Sequence, residues 1–191
     1  MLNNSEVEIL LVEDTFTQAM LMKHLLSSKN YKVTLARSAD EALQRISEKR
    51  FTIILSDVNM PEIDGYELCR RIKRKDDTKN LLFVLLLSFL DANDLERLLT
   101  CGADNVVFKD YNDDFFISKI DSILRTADLR SRNKSGTVVE PGSFPAHALV
   151  ANNETVLDIA PVAAFDMLLS CFETIIARNN AATEKLASTS D

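Results

Sequence analysis

Residues 51–73 read FTIILSDVNMPEIDGYELCRRIK, and the fold turns on how this stretch is divided. An apolar run through Ile53-Ile54-Leu55 stops at a single carboxylate, Asp57. Asn59, Met60, Pro61 and an Asp64-Gly65 turn follow, and then comes charged sequence with helical spacing. A strand this continuously apolar is covered on both faces, as in a parallel sheet. The acid at its end is therefore not part of its packing. It marks the place where the strand delivers a side chain.

The same pattern recurs along the chain. Strand-length apolar runs stand at 7–12 (VEILLV), 32–35 (KVTL), 51–56 (FTIILS), 82–87 (LFVLLL) and 105–108 (NVVF). Segments with helical spacing separate them: 15–28, with Leu21, Met22, Leu25 and Leu26 on one side, a segment opened by Ser38-Ala39-Asp40-Glu41, then 65–73, 92–100 and 113–129. Ser38 with Glu41 three residues on is an N-terminal capping pair, and Asn30 is a left-handed stop for the first helix. Five strand–helix repeats predict right-handed crossovers and a doubly wound α/β sheet with helices on both faces.

Ligands of such sheets bind at the carboxyl ends of the strands. The first strand ends at Glu13-Asp14, the third at Asp57, the fourth at Ser88 and the fifth at Lys109. Carboxylates converging on one crevice repel each other unless a cation joins them. Hard oxygen donors at a shallow site suit Mg²⁺, a lysine ammonium suits a phosphoryl oxygen, and a carboxylate can itself act as nucleophile to form an acyl phosphate. Taken singly these residues have plainer readings. Glu13 and Asp14 would serve as first-turn carboxylates of the next helix, Lys109 as a solvated side chain and Ser88 as an N-cap. Their convergence on one sheet end favours phosphoryl chemistry. His24 and His147 read as surface residues without metal partners, and Cys69 and Cys101 as small buried hydrophobes.

Residues 7–129 resemble the receiver domain of two-component response regulators. The resemblance is carried by LLVED (10–14), LSDVNMPEIDG (55–65), LLLS (85–88) and CGADNVVFK (101–109). It implies a flavodoxin-like five-stranded sheet of order 2-1-3-4-5, with Asp57 as phosphoacceptor. It implies Mg²⁺ held by Asp14, Asp57 and the backbone carbonyl of Asn59, with Glu13 acting through water. Lys109 would contact the phosphoryl group, Ser88 would swing towards it, and a histidine kinase or phosphotransfer protein would be the donor. Two positions depart from the family pattern: Asp110 follows Lys109 where proline is usual, and Val106 stands where a switch aromatic is usual.

The remaining sequence predicts an appendage, dividing the chain into a receiver at 1–130, a linker or β-hairpin at 131–160 and a helical extension at 161–191. TVV and AHALV are the candidate hairpin strands. Phe165, Leu168, Phe172, Ile175, Asn179, Ala182 and Leu186 alternate in steps of three and four, a heptad seam with one polar core position. This predicts a homodimer through 162–187, the competing reading being one amphipathic helix packed on its own receiver.

The formal charge of −7 argues against DNA or an anionic membrane as partner. Residues 1–130 hold 18 basic and 22 acidic side chains and residues 131–191 hold 4 and 7, so neither part is a basic nucleic-acid module. Three cysteines without metal spacing, no signal-like leader and no long apolar span predict a cytoplasmic protein. The function expected is a phosphoacceptor of a phosphorelay, signalling through protein contacts and not turning over a substrate. The alternatives are a receiver-fold scaffold no longer switched by phosphorylation, or the receiver segment of a hybrid sensor kinase. An aspartyl-phosphate hydrolase of the haloacid dehalogenase type would need a second Asp where Asn59 stands.

Overall fold

The structure is a computed structural model that describes residues 3–88, 97–109, 113–132, 144–150 and 153–159. After a 3-10 turn at Asn4–Glu6, the strands are β1 (Glu8–Val12), β2 (Lys32–Ala36), β3 (Ile53–Asp57), β4 (Leu82–Leu87) and β5 (Asn105–Phe108). The helices are α1 (Phe16–Ser28), α2 (Ala39–Glu48), α3 (Gly65–Lys73), α4, described over residues 97–100, and α5 (Asp113–Arg132). The five strands form one parallel sheet, as the run of apolar segments predicts, in the order β2-β1-β3-β4-β5 that the resemblance implies.

Alternate residues of each strand feed opposite faces. Leu10, Val12, Ile54, Phe83, Leu85, Val106 and Phe108 pack with Ala42, Tyr66, Leu68, Cys69, Ile72 and Leu98 from α2, α3 and α4. Ile9, Leu11, Ile53, Leu55, Val84, Leu86 and Val107 pack with Leu26, Phe116, Ile120 and Leu124 from α1 and α5. Both faces are covered, which is why the strands show no polar alternation. Each fully buried side chain of this size contributes about 1.5–3 kcal/mol.

Local signals set the ends of the elements. Asn30 has φ 66° and closes α1. The Ser38 side chain accepts from Glu41 N–H, and the Glu41 carboxylate accepts from the backbone N–H of Arg37, one residue before the position a capping box uses. Asp64 caps α3 by accepting from Glu67 N–H. On α1 the expected apolar side is only partly inward: Ala19 and Leu26 are buried, whereas Leu21 is 66% exposed. Cys69 and Cys101 are buried, and the Cys101 thiol donates to Leu98 O at 3.2 Å.

Beyond the sheet, β6 (Phe144–Val150) and β7 (Asn153–Ile159) pair antiparallel, with Val150 opposite Asn153. The AHALV strand pairs with the segment that follows it, and TVV lies outside the described residues. Asp110, the heptad seam and the 162–187 interface also lie outside them. Among the described residues, no helix is long and apolar enough to cross a membrane.

Candidate phosphoacceptor site

The carboxyl ends of β1 and β3 lie side by side near the middle of the sheet, and the Lys109 side chain reaches them from the end of the edge strand β5. Asp57 is the last residue of β3, and its backbone neighbour Val58 continues the ladder by donating its N–H to Leu86 O at 3.3 Å. The chain then turns sharply: Met60 N–H donates to Val58 O at 3.2 Å, Glu62 has φ 63°, and Gly65 N–H returns to Val58 O at 3.0 Å. Gly65 is required here by contact. A Cβ at that position would lie 2.3 Å from the Asp57 carbonyl oxygen, so only glycine lets α3 start against the end of β3.

Glu13 follows β1 and is tied to β2 through its N–H to Ala36 O at 3.0 Å. Its side chain is fully buried, and its Oε1 accepts from Thr15 N–H at 3.2 Å. Asp14 is half-buried beside it. Glu13, Asp14 and Asp57 bring one carboxylate oxygen each to within 4.8 Å of one another. Lys109, at the end of β5, is anchored by its N–H to Leu87 O at 2.7 Å. Its Nζ lies 3.0 Å from Glu13 Oε2, 2.9 Å from Asp57 Oδ1 and 3.1 Å from Gln18 Oε1 of α1.

Two features bear on a cation. Burial pushes the Glu13 carboxyl above its usual pKa, and Lys109 opposes that rise. Asp57 Oδ1 is buried, and its contact with Lys109 is an ion pair without hydrogen-bond geometry, so the oxygen lacks a hydrogen-bond donor. Three clustered carboxylates, one of them with an orphaned buried oxygen, form a hard-oxygen donor set that fits Mg²⁺.

The sequence-predicted residues fall as follows. Glu13, Asp14, Asp57 and Lys109 come together at one sheet end. Ser88, directly after β4, lines a cleft of about 460 Å³ that Lys109 shares with Gln18, Met22, Leu25 and Phe116. Asn59 is exposed in the loop two residues beyond Asp57. Val106 is buried in the sheet core beside Leu85. The sequence reading missed Gln18. Its only signal was a position four residues past Asp14, on the first turn of a helix starting at the site.

A second set of contacts also escaped the sequence reading. Arg97 of α4 pairs with Asp64, the α3 cap, and its guanidinium stacks 4.5 Å from the centre of the buried Tyr66 ring. This ties α4 to the loop leaving Asp57.

The response regulator receiver domain family matches residues 9–121, which include every one of these site positions. A phosphate regulon transcriptional regulatory protein, PhoB of Rhizobium meliloti, is 28% identical over 120 residues, spanning 63% of this chain and 53% of that protein. The sensor protein EvgS of Escherichia coli is 32% identical over 104 residues, 54% of this chain and 8% of that protein. The solved receiver domain of a signal transduction histidine kinase from Syntrophus aciditrophicus is 38% identical, with a TM-score of 0.60, covering 70% of this chain and 98% of that one. The chain thus spans about half the length of a regulator such as PhoB. With the sheet order, the acidic cluster and a family match over more than half its residues, the chain belongs to the response regulator receiver domain family.

Proposed function

We propose that the chain accepts a phosphoryl group on Asp57 from a histidine kinase or phosphotransfer protein and passes the signal on through protein contacts. The observation that carries this is the buried Asp57 carboxylate at the end of the central strand, facing Glu13 and Asp14, with Lys109 Nζ 2.9 Å away.

Asp57 is the nucleophile. A carboxylate oxygen forms the new bond to phosphorus, the bond from phosphorus to the donor imidazole nitrogen breaks, and that nitrogen keeps the bonding electron pair. Lys109 neutralises the oxygen charge that develops on the phosphoryl group, acting from an ammonium already held at the site. The Ser88 hydroxyl donates to a phosphoryl oxygen from the end of the neighbouring strand. Asp14, Asp57 and the Asn59 carbonyl would hold Mg²⁺, with Glu13 reaching it through water, and the cation supplies charge neutralisation between carboxylate and phosphoryl oxygens. The aspartyl phosphate is a signal and not an intermediate of turnover.

The donor protein has a face to use. Phe16, Met20 and Leu21 on α1 are 60%, 43% and 66% exposed, an apolar strip on the helix that starts at the site. Their exposure favours a protein partner over a nucleic acid. The same acceptor site would serve as the receiver segment of a hybrid kinase, a reading favoured by the likeness to EvgS and to the Syntrophus receiver.

The test is labelling by acetyl phosphate with Mg²⁺. Wild type is expected to gain one phosphoryl group by intact mass, and Asp57→Asn none. Labelling of Asp57→Asn at the wild-type level would remove the assignment. Beryllofluoride with Mg²⁺ separates a competent receiver, which binds it as a phosphoryl mimic, from a scaffold, which does not.

A further inference from the structure

We infer that Gln18 is a positioning residue for Lys109, its side-chain carbonyl keeping the ammonium at the rim of the site when Glu13 and Asp57 turn to a divalent cation. The inference rests on the phosphoacceptor reading above and names a residue that the reading does not require.

Three oxygens surround Lys109 Nζ: Glu13 Oε2 at 3.0 Å and Gln18 Oε1 at 3.1 Å accept hydrogen bonds, and Asp57 Oδ1 at 2.9 Å forms an ion pair. They are not equivalent. Two are carboxylates of the cluster that fits Mg²⁺, so the ammonium now sits where cation charge belongs. A divalent ion and an ammonium repel each other across a few ångströms, and they compete for the same oxygens. Loading the site therefore loosens Lys109 from Glu13 and Asp57. Gln18 is neutral and stands on α1, outside the carboxylate cluster. Its oxygen gains nothing from releasing the lysine. An ammonium has only donors, so the amide must present its oxygen to Nζ in every state in which they touch.

The placement of Gln18 suits this task. It lies on the first turn of α1, and Ala19 beside it is buried and donates its N–H to Thr15 O at 2.9 Å, so the helix start is fixed. Lys109 is 12% exposed and enters from β5, whose backbone is fixed by the bond to Leu87 O. Both side chains line the cleft that also holds Ser88. A lysine has four rotatable side-chain bonds. With the carboxylates given up, one retained hydrogen bond limits how far its head wanders from the phosphoryl position. The Gln18–Lys109 bond is therefore worth more in the loaded site than in the empty one, and cation affinity must depend on it.

The test uses Gln18→Leu, which removes the acceptor, and Gln18→Glu, which keeps it, each in the full chain. Mg²⁺ affinity is read by calorimetry and labelling rate with acetyl phosphate as probe. Gln18→Leu is expected to weaken Mg²⁺ binding about twofold and to slow labelling at saturating Mg²⁺ about two- to fivefold, the scale of one partly exposed charge-assisted hydrogen bond. Gln18→Glu should label at least as fast as wild type.

The same Gln18→Leu change made in a Lys109→Ala background separates positioning from damage to α1. Its effect on Mg²⁺ affinity should vanish there, because the partner is gone. An equal loss of affinity in both backgrounds, or a Gln18→Leu protein matching wild type in affinity and rate, overturns the inference while leaving labelled wild type in place. A wild type that neither binds Mg²⁺ nor takes label overturns the phosphoacceptor reading, and the inference with it.

Discussion

At the scale of single residues, the site is a contest between one ammonium and three carboxylates. Lys109 holds Glu13 and Asp57 at hydrogen-bond and ion-pair distance, while Asp14 stands half-buried beside them with Thr15 Oγ as its near neighbour at 3.4 Å. Asp14 is thus the cluster member least engaged by the lysine. Asp14→Ala should weaken Mg²⁺ binding by about tenfold or more, since the cation takes few direct protein carboxylates. A calorimetric titration giving the wild-type affinity would place the ion elsewhere. Lys109→Ala should behave in the opposite way. Removal of the competing charge leaves Mg²⁺ affinity unchanged or higher, while labelling by acetyl phosphate falls about 10- to 100-fold with the loss of a donor to the developing charge. A mutant that labels at the wild-type rate would show that the ammonium has no part in transfer. The meeting of these residues was legible in the sequence because each ends or directly follows a strand, and strand ends of a parallel sheet share one edge. The grip of Gln18 on Lys109 was not legible. It joins residues 91 apart in sequence, and a glutamine on the first turn of a helix looks like any solvated one.

At the scale of elements, the junction of β3 and α3 is the tightest point of the fold. Gly65 N–H bonds to Val58 O while the Asp57 carbonyl fills the space a side chain would need. Gly65→Ala cannot be absorbed by a rotamer change, because the obstructing atoms are backbone. The helix must back away from the strand end. The expected cost is about 1–3 kcal/mol in urea unfolding, with labelling of Asp57 reduced as the loop shifts. An unchanged midpoint would mean that α3 yields without strain. The elements themselves were readable, since continuous apolar runs buried on both faces leave little choice but a covered parallel sheet. What pattern did not convey was orientation and pairing. Leu21 shares its apolar character with Leu25 and Leu26, yet α1 turns it to solvent, because periodicity does not say how wide the buried stripe is. The β6–β7 pairing was missed for a similar reason. β7 follows β6 after two residues, and closing so short a loop costs little entropy, a term that apolar patterning does not display. Arg97 was unreadable as well: a surface arginine acquires its meaning only once α4 lies over Tyr66 and the Asp64 cap.

At the scale of the whole molecule, the receiver and the segment after it pose different problems. Among the described residues the receiver satisfies its own core, with both sheet faces covered by helices. The seam of Phe165, Leu168, Phe172, Ile175 and Leu186 needs a surface from elsewhere. Each large apolar side chain left in water forgoes about 1.5–3 kcal/mol. A candidate surface within the chain is the exposed strip Phe16, Met20 and Leu21, but it lies on the helix that begins at the proposed phosphoacceptor site, where the donor protein of that proposal would approach. A seam that covered this strip would block its own phosphorylation. A second copy of the same seam has no such conflict, and Asn179 then has a use. Across a two-fold axis a core asparagine would hydrogen-bond its counterpart and fix a parallel register. The full chain is therefore expected to be a dimer at tens of micromolar by light scattering. Phe172→Glu with Ile175→Glu should make it monomeric and leave labelling of Asp57 at its original rate, because the receiver does not depend on the seam. A monomeric wild type would refute the dimer. A double variant that stays dimeric would move the interface onto the receiver, and one that labels faster than wild type would show that the seam had been covering α1.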